Sequence, residues 1–132
     1  MTRLTSTVRA TLQPEVVTFD AEGHARVMVD LSINDGFHIN AHEPGDEQLI
    51  GLDVRLVGAQ GLVAEVGYPE GDLYRESIRV HAREISIPVE LVRTGEVSGQ
   101  PVLVVRWQAC TDQVCHAPQS AQLPVRISAS AP

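Results

Sequence analysis

Lysine is absent from this 132-residue chain: all 10 basic residues are arginine, set against 17 acidic ones, and the formal net charge is −7. Gripping a phosphate backbone needs clustered positive charge, so nucleic-acid binding is not expected. Aromatic residues make up only 4% of the sequence, against 43% for all apolar types. Val, Leu and Ile must therefore fill the interior, and these residues favour strands. No apolar run approaches the roughly 18 to 20 residues of a membrane-crossing helix; the longest lies around Val102 to Val105. Direct membrane insertion is not expected. The stretch Met1-Thr-Arg-Leu-Thr-Ser-Thr7 also lacks the apolar core of an export signal. Cysteine occurs twice, at Cys110 and Cys115, so any chemistry of sulfur pairs is local.

What the chain does have is alternation. Leu4, Ser6, Val8, Ala10 and Leu12 share one face of an expected first strand, which Pro14 ends. Val16 to Phe19 reads as a short extended piece. Val27, Val29, Leu31 and Ile33 mark the clearest strand, between turns at Asp20-Ala-Glu-Gly23 and Asn34-Asp-Gly36. Phe37 begins an extended segment that gives way to a polar loop through Pro44. Further strands are expected over Leu52 to Leu56 and Leu62 to Val66 with a turn at Gly58 to Gly61, then over Ile85 to Leu91, Val102 to Gln108 and Leu123 to Ile127. Pro88 suggests an edge or a bulge, Tyr68 to Arg75 reads as a loop, and so does Thr94 to Gln100. No window carries a helical stripe. Eight or nine short strands predict an all-β fold, an immunoglobulin-like antiparallel β-sandwich, as one domain over residues 1–132 with its core at about 8–127.

The run Trp107-Gln-Ala-Cys110-Thr-Asp-Gln-Val-Cys115-His116-Ala-Pro118 is where chemistry concentrates. A reversal through Thr111 to Val114 would set the two cysteines opposite each other, with Cα atoms about 4.5 to 5.5 Å apart and within disulfide reach. As a staple such a bond is weak, because so short a loop removes only about 2 kcal/mol of chain entropy. Placement at a surface hairpin suits exchange better than stability. A plain structural disulfide or two free thiols are the bland readings. Haem attachment with His116 as ligand is a stretched fit to Cys-x-x-Cys-His, and an all-β chain offers no helical pocket. Zinc or copper would need His38 or His42 to converge on Cys110, Cys115 and His116. Asp112 beside the pair disfavours a thiolate and a protonated His116 favours one. Trp107 reads as core.

The same run, with Pro124 and Val125 after it, resembles the cysteine segment of the amino-terminal periplasmic domain of the DsbD family of thiol:disulfide interchange proteins. Asp35-Gly-Phe-His-Ile-Asn40, Pro44-Gly-Asp46, Tyr68-Pro69 and Ile85-Ser-Ile-Pro-Val89 agree with it, so the resemblance covers about Val8 to Ile127. It implies a redox-active pair in a periplasmic or otherwise extracytoplasmic domain. Electrons would arrive from a membrane-embedded donor and leave to thioredoxin-like or disulfide-isomerase proteins, with no organic cofactor and no metal. It also implies Cys115 as the sulfur that forms mixed disulfides and Cys110 as the resolving one. A cap loop shields the pair in that family, and its counterpart would be Asp72-Leu73-Tyr74, with Leu73 where an aromatic residue commonly sits. His38 and Asn40 fall where some members carry tyrosines near the cysteines. Whole members also have a membrane region and a thioredoxin-like domain, which this stretch does not contain. The alternative from another class is a non-catalytic immunoglobulin-like binding module with a structural hairpin disulfide.

Overall fold

The computed structural model describes residues 2–4 and 7–128, and there is no helix among them. In chain order the strands are β1 (Thr2–Leu4), β2 (Val8–Gln13), β3 (Val16–Val17), β4 (His24–Ile33), β5 (His38–Asn40) and β6 (Asp53–Val66). They continue as β7 (Asp72–Arg75), β8 (Ile78–His81), β9 (Glu84–Trp107), β10 (Ala109–Cys110), β11 (Gln119–Pro124) and β12 (Arg126–Ile127). The main sheet runs β1-β2-β4-β9-β11, with β6 also paired to β9. A smaller sheet runs β10-β5-β8-β7, and β12 lies parallel to β3.

The alternating residues do what their pattern demands. Val27, Val29 and Leu31 on β4 are buried, as are Ile87, Val89 and Leu91 in the first half of β9 and Leu103, Val105 and Trp107 in its second half. Both halves of β9 contribute to one apolar cluster, although they pair with different neighbours, β4 first and β11 later. The long β6/β9 ribbon therefore folds over its own core and supplies strands to both layers of the sandwich, which is all-β and immunoglobulin-like.

The bend explains where the expected boundaries differ. Gly58 to Gly61 was expected to turn and Thr94 to Gln100 to loop, yet both stretches stay within β6 and β9. They carry register shifts between Val57 and Ala59 and between Gln60 and Leu62. Extra residues on one strand of a pair bend and twist it without ending it. Glycine makes this possible: Gly61 has φ +78°, and a Cβ there would collide with the Glu96 carbonyl oxygen.

Pro88 sits in an interior strand rather than at an edge. It faces Gly67, the first residue past the end of β6, whose N–H donates to the Pro88 carbonyl at 2.8 Å, so the missing proline donor falls where the β6 ladder has already finished. The opening strand expected over Leu4 to Leu12 is two antiparallel strands, since a period of two does not register a reversal; Thr5 and Ser6 lie outside the described residues. Leu123 to Ile127 likewise divides, with β11 on β9 and β12 crossing to β3.

Candidate functional site

Beyond Trp107 the chain leaves the main sheet. Ala109 and Cys110 form β10, which pairs with β5 in the register Ala109 to Ile39 and Cys110 to His38. A four-residue reversal follows. Thr111 N–H donates to Val114 O at 2.8 Å, Thr111 Oγ1 accepts from the N–H groups of Gln113 and Val114, and His116 N–H returns to Ala109 O at 2.8 Å. Threonine at the head of the reversal is thus a turn-forming residue through its side chain. Cys110 and Cys115 face each other as an antiparallel bridge with Cα atoms 4.0 Å apart and are joined by a disulfide. Both sulfurs are committed to each other, which removes them as haem or metal anchors in this state.

The two sulfurs occupy unlike surroundings. Cys110 is 3% exposed, whereas Cys115 lies among exposed residues from Asp112 to Ala117. A shallow cleft of about 180 Å³ runs over the pair, lined on the opposite wall by His38, Asn40, Tyr74 and Arg75. The wall is closed by one short contact: the Tyr74 hydroxyl donates to Asp112 Oδ1 at 2.6 Å. Arg75 adds a bond from Nη2 to the Asp112 carbonyl at 3.1 Å and lies over the Tyr74 ring. The Asp112 hydrogen bond holds the Tyr74 phenol above its usual pKa. The His38 ring also packs against Tyr74, centroids 4.3 Å apart, and burial draws its pKa below the usual 6.5, against the opposing pull of Asp112.

A half-buried amide cluster holds Asn40, one of the cleft residues, in place. Asn40 Nδ2 donates to Gln108 Oε1 at 2.9 Å and to Ile50 O at 3.1 Å, Ile50 N–H reaches the same Gln108 oxygen, and Gln108 Nε2 extends to His116 O at 3.4 Å. One amide side chain therefore ties β5, the Leu49–Ile50 segment and the far leg of the cysteine hairpin together.

The structure brings Cys110, Cys115, His38, Asn40, Tyr74 and Asp112 to one cleft. Asp72 and Leu73 do not line it, and Leu73 is 61% exposed. Asp72 to Arg75 is a strand rather than a loop: it pairs with β8 from Asp72 to Val80 onward, shifts register after Leu73, and so turns Tyr74 toward Asp112. His116 packs edge-on against Phe37, with centroids 5.3 Å apart. His42 stacks on Tyr68 and bonds Leu52 O through Nδ1, away from the cysteines. Among the described residues no group of three or more His, Cys, Asp or Glu is placed to hold a metal. Gln108 and Arg75 escaped sequence reasoning. Gln108 stands in the quoted Trp-Gln-x-Cys run, but nothing in the residue order says that its amide meets Asn40, 68 positions earlier.

The family described as thiol:disulfide interchange protein DsbD, N-terminal, matches residues 8–126. The chain belongs to this family. No curated protein matches the sequence. Among solved structures, the N-terminal periplasmic domain of ScsB from Proteus mirabilis is similar, with TM-score 0.66 and 14% identity over 92% of this chain. That match takes in 47% of the ScsB chain, so this chain spans about half the length of that relative. The DsbD N-terminal domain of Neisseria meningitidis in its reduced form gives TM-score 0.50 and 17% identity, covering 89% of this chain and 83% of that one. The GAE domain of GGA2p from Saccharomyces cerevisiae shares the architecture at TM-score 0.56 and 7% identity, over 95% of this chain and 96% of its own. Likeness at these identities concerns the fold, which by itself assigns no activity. For a DsbD N-terminal domain, a disulfide-bonded cysteine pair at a surface hairpin fits a thiol-disulfide exchange module.

Proposed function

We propose that this DsbD N-terminal domain is a thiol-disulfide oxidoreductase module of the protein-disulfide reductase type. It works outside the cytoplasm, accepts electrons from a membrane-embedded donor, and delivers them to oxidised thioredoxin-like or disulfide-isomerase proteins. The observation that carries this reading is the asymmetry of the disulfide, with Cys115 exposed and Cys110 3% exposed. Exchange requires in-line attack on one sulfur while the other leaves, and only one of these two can be reached from solvent. The periplasmic description of the similar ScsB domain supports the location.

The chemistry balances with sulfur alone. In loading, a donor thiolate attacks Cys115 Sγ, the Cys110–Cys115 bond breaks, and Cys110 leaves with the electron pair and takes up a proton. The donor's second thiolate then displaces Cys115, so the donor becomes a disulfide and the pair a dithiol. In delivery, the Cys115 thiolate attacks a client disulfide and expels one client thiolate. Cys110, deprotonated, attacks Cys115, expels the second, and restores the disulfide. Two electrons pass in each half.

Cys110→Ser tests this. The variant is expected to trap a mixed disulfide between Cys115 and an oxidised thioredoxin-like protein, because the resolving thiol is gone. If neither Cys110→Ser nor Cys115→Ser traps a partner, the reading fails. The wild-type pair is expected to have a reduction potential well above the roughly −300 mV below which structural disulfides lie; a value below that favours a binding module with an incidental bridge.

The Tyr74–Asp112 contact acts as the cap on this pair. Tyr74→Phe removes only the hydroxyl that Asp112 accepts. Alkylation of the reduced pair by a small reagent is expected to quicken about two- to fivefold, the scale of one exposed hydrogen bond to a charged group. Leu73→Ala is expected to leave the rate unchanged, since that side chain is 61% exposed and does not line the cleft. The reverse ranking would move the cap to Leu73.

A further inference from the structure

Thiol exchange needs a thiolate at each attack, and Cys110 is the sulfur least able to obtain one from solvent. At 3% exposure it has little water to take its proton, and burial in apolar surroundings raises a thiol's pKa. Its nearest neighbours are set by strand register. On one side is Cys115, across the hairpin; on the other is His38, its direct partner across β10 and β5. Directly opposed residues on an antiparallel pair point to the same face with Cβ atoms about 4.5 to 5.5 Å apart. Both side chains line the cleft, in agreement with that register.

We infer that His38 is the proton acceptor and donor for Cys110, a positioning and proton-handling residue of the exchange reaction; this rests on the function proposed above. In the resolving step the Cys110 S–H gives its proton to a His38 ring nitrogen. The Cys110 sulfur then attacks Cys115 Sγ, the bond from Cys115 to the client sulfur breaks, and the client leaves as a thiolate with the electron pair. The imidazolium returns the proton to that thiolate or to water. In loading, the same proton moves the other way, onto Cys110 as it leaves.

The surroundings of His38 suit this task. Tyr74 packs against the ring at a tilt of 39° and limits its orientation. The titratable and charged groups that face it are Tyr74 and Arg75 from β7, and Asp112, Cys110 and Cys115 from the hairpin. Among the described residues no hydrogen bond occupies either ring nitrogen. Burial lowers the pKa of the imidazole, so it is neutral near pH 7 and free to accept. Other groups near the pair are committed elsewhere: Asp112 accepts the Tyr74 hydroxyl, Arg75 bonds the Asp112 carbonyl, and His116 lies against Phe37 beside the exposed sulfur.

The test isolates the resolving step without a protein partner. Reduced protein is mixed with the aromatic disulfide 5,5′-dithiobis(2-nitrobenzoate), and release of the coloured thiolate is followed by stopped flow. A first phase reports attack by Cys115 and a second reports its displacement by Cys110. In the wild type the second phase is expected to fall off only at a pH below the ordinary histidine value of about 6.5, because burial lowers the His38 pKa. In His38→Gln it is expected to slow at least about tenfold at pH 7, where even an ordinary thiol of pKa near 8.5 is only a few per cent ionised and burial of Cys110 disfavours its thiolate further. It then climbs steadily as the pH rises, while the first phase stays within about twofold. His38→Tyr, which keeps an aromatic ring on Tyr74 without a base near neutrality, is expected to behave like His38→Gln, so that misfolding of one variant does not hide the result. Second phases with the wild-type rate and pH profile in both variants overturn the inference, and so does equal slowing of both phases with the profile unmoved. The assay consumes only a small reagent, so its failure is separate from a failure of Cys110→Ser to trap a partner.

Discussion

Cys115→Ser is expected to reduce electron delivery to an oxidised thioredoxin-like protein to background, a loss of about a thousandfold or more, because a covalent route is removed outright and not merely slowed. The remaining sulfur cannot stand in. Cys110 is 3% exposed and walled by His38 and Asn40, so a protein-borne disulfide cannot align with it. Cys110→Ser differs in kind: the first attack survives, and the protein stalls after one turnover with its partner attached. Rates with a purified partner, together with non-reducing gels of both variants, separate the two behaviours. Equal trapping by both variants would mean that the exposure difference does not set the order of attack.

The second large effect concerns the fold that carries the site. Trp107→Ala is expected to destabilise the domain by about 3 to 5 kcal/mol, the cost of truncating a fully buried large aromatic residue, and to lower the melting temperature by about 10 to 20 °C. Trp107 is completely buried, and its Nε1 donates to Thr7 Oγ1 at 3.3 Å, which in turn donates to Gln119 Oε1 at 2.6 Å. It thereby links the end of β9 to the residue that leads into β2 and to the start of β11, one residue before Gln108 enters the amide cluster. Trp107→Phe keeps most of the volume and is expected to lose about 1 to 2 kcal/mol, mainly the hydrogen bond. Thermal and urea unfolding followed by circular dichroism measure both, since the only tryptophan is the residue replaced. A loss below about 1 kcal/mol for the alanine variant would remove Trp107 from the core.

Much of the architecture was legible because burial has a period of two along a strand. Val27 to Ile33, Ile87 to Leu91 and Leu103 to Trp107 announce their inward faces directly, and the cysteine hairpin follows from a strand running into Thr111. The continuity of β6 and β9 was not legible. Polar residues and glycines at Gly58, Gly61 and Gly99 are the usual marks of a turn, and here the same residues serve bulges that bend a ribbon over its own core. The cleft itself was read in part. Family resemblance placed His38, Asn40 and Tyr74 near the sulfurs, and Asp112 stands between the two cysteines in the sequence. Which side chain closes the wall depended on a register shift between Leu73 and Arg75, and that shift has no signature in hydrophobic pattern. Gln108 and Arg75 act through single long-range hydrogen bonds, which leave no periodicity to read.

The small sheet that carries the cysteines has a consequence for the order in which the domain matures. Its strands come from residues 38–40, 72–75, 78–81 and 109–110, and its key ties join positions 68 and 38 apart in sequence. Contacts of such separation form only after intervening chain has been organised, because loop closure must be met before they repay it. The two thiols, by contrast, are five positions apart and can meet in any state of the chain. A nascent or partly folded molecule thus already has its sulfur pair but not the walls around it. The cleft around the pair is completed last, as a certificate that the whole domain has folded.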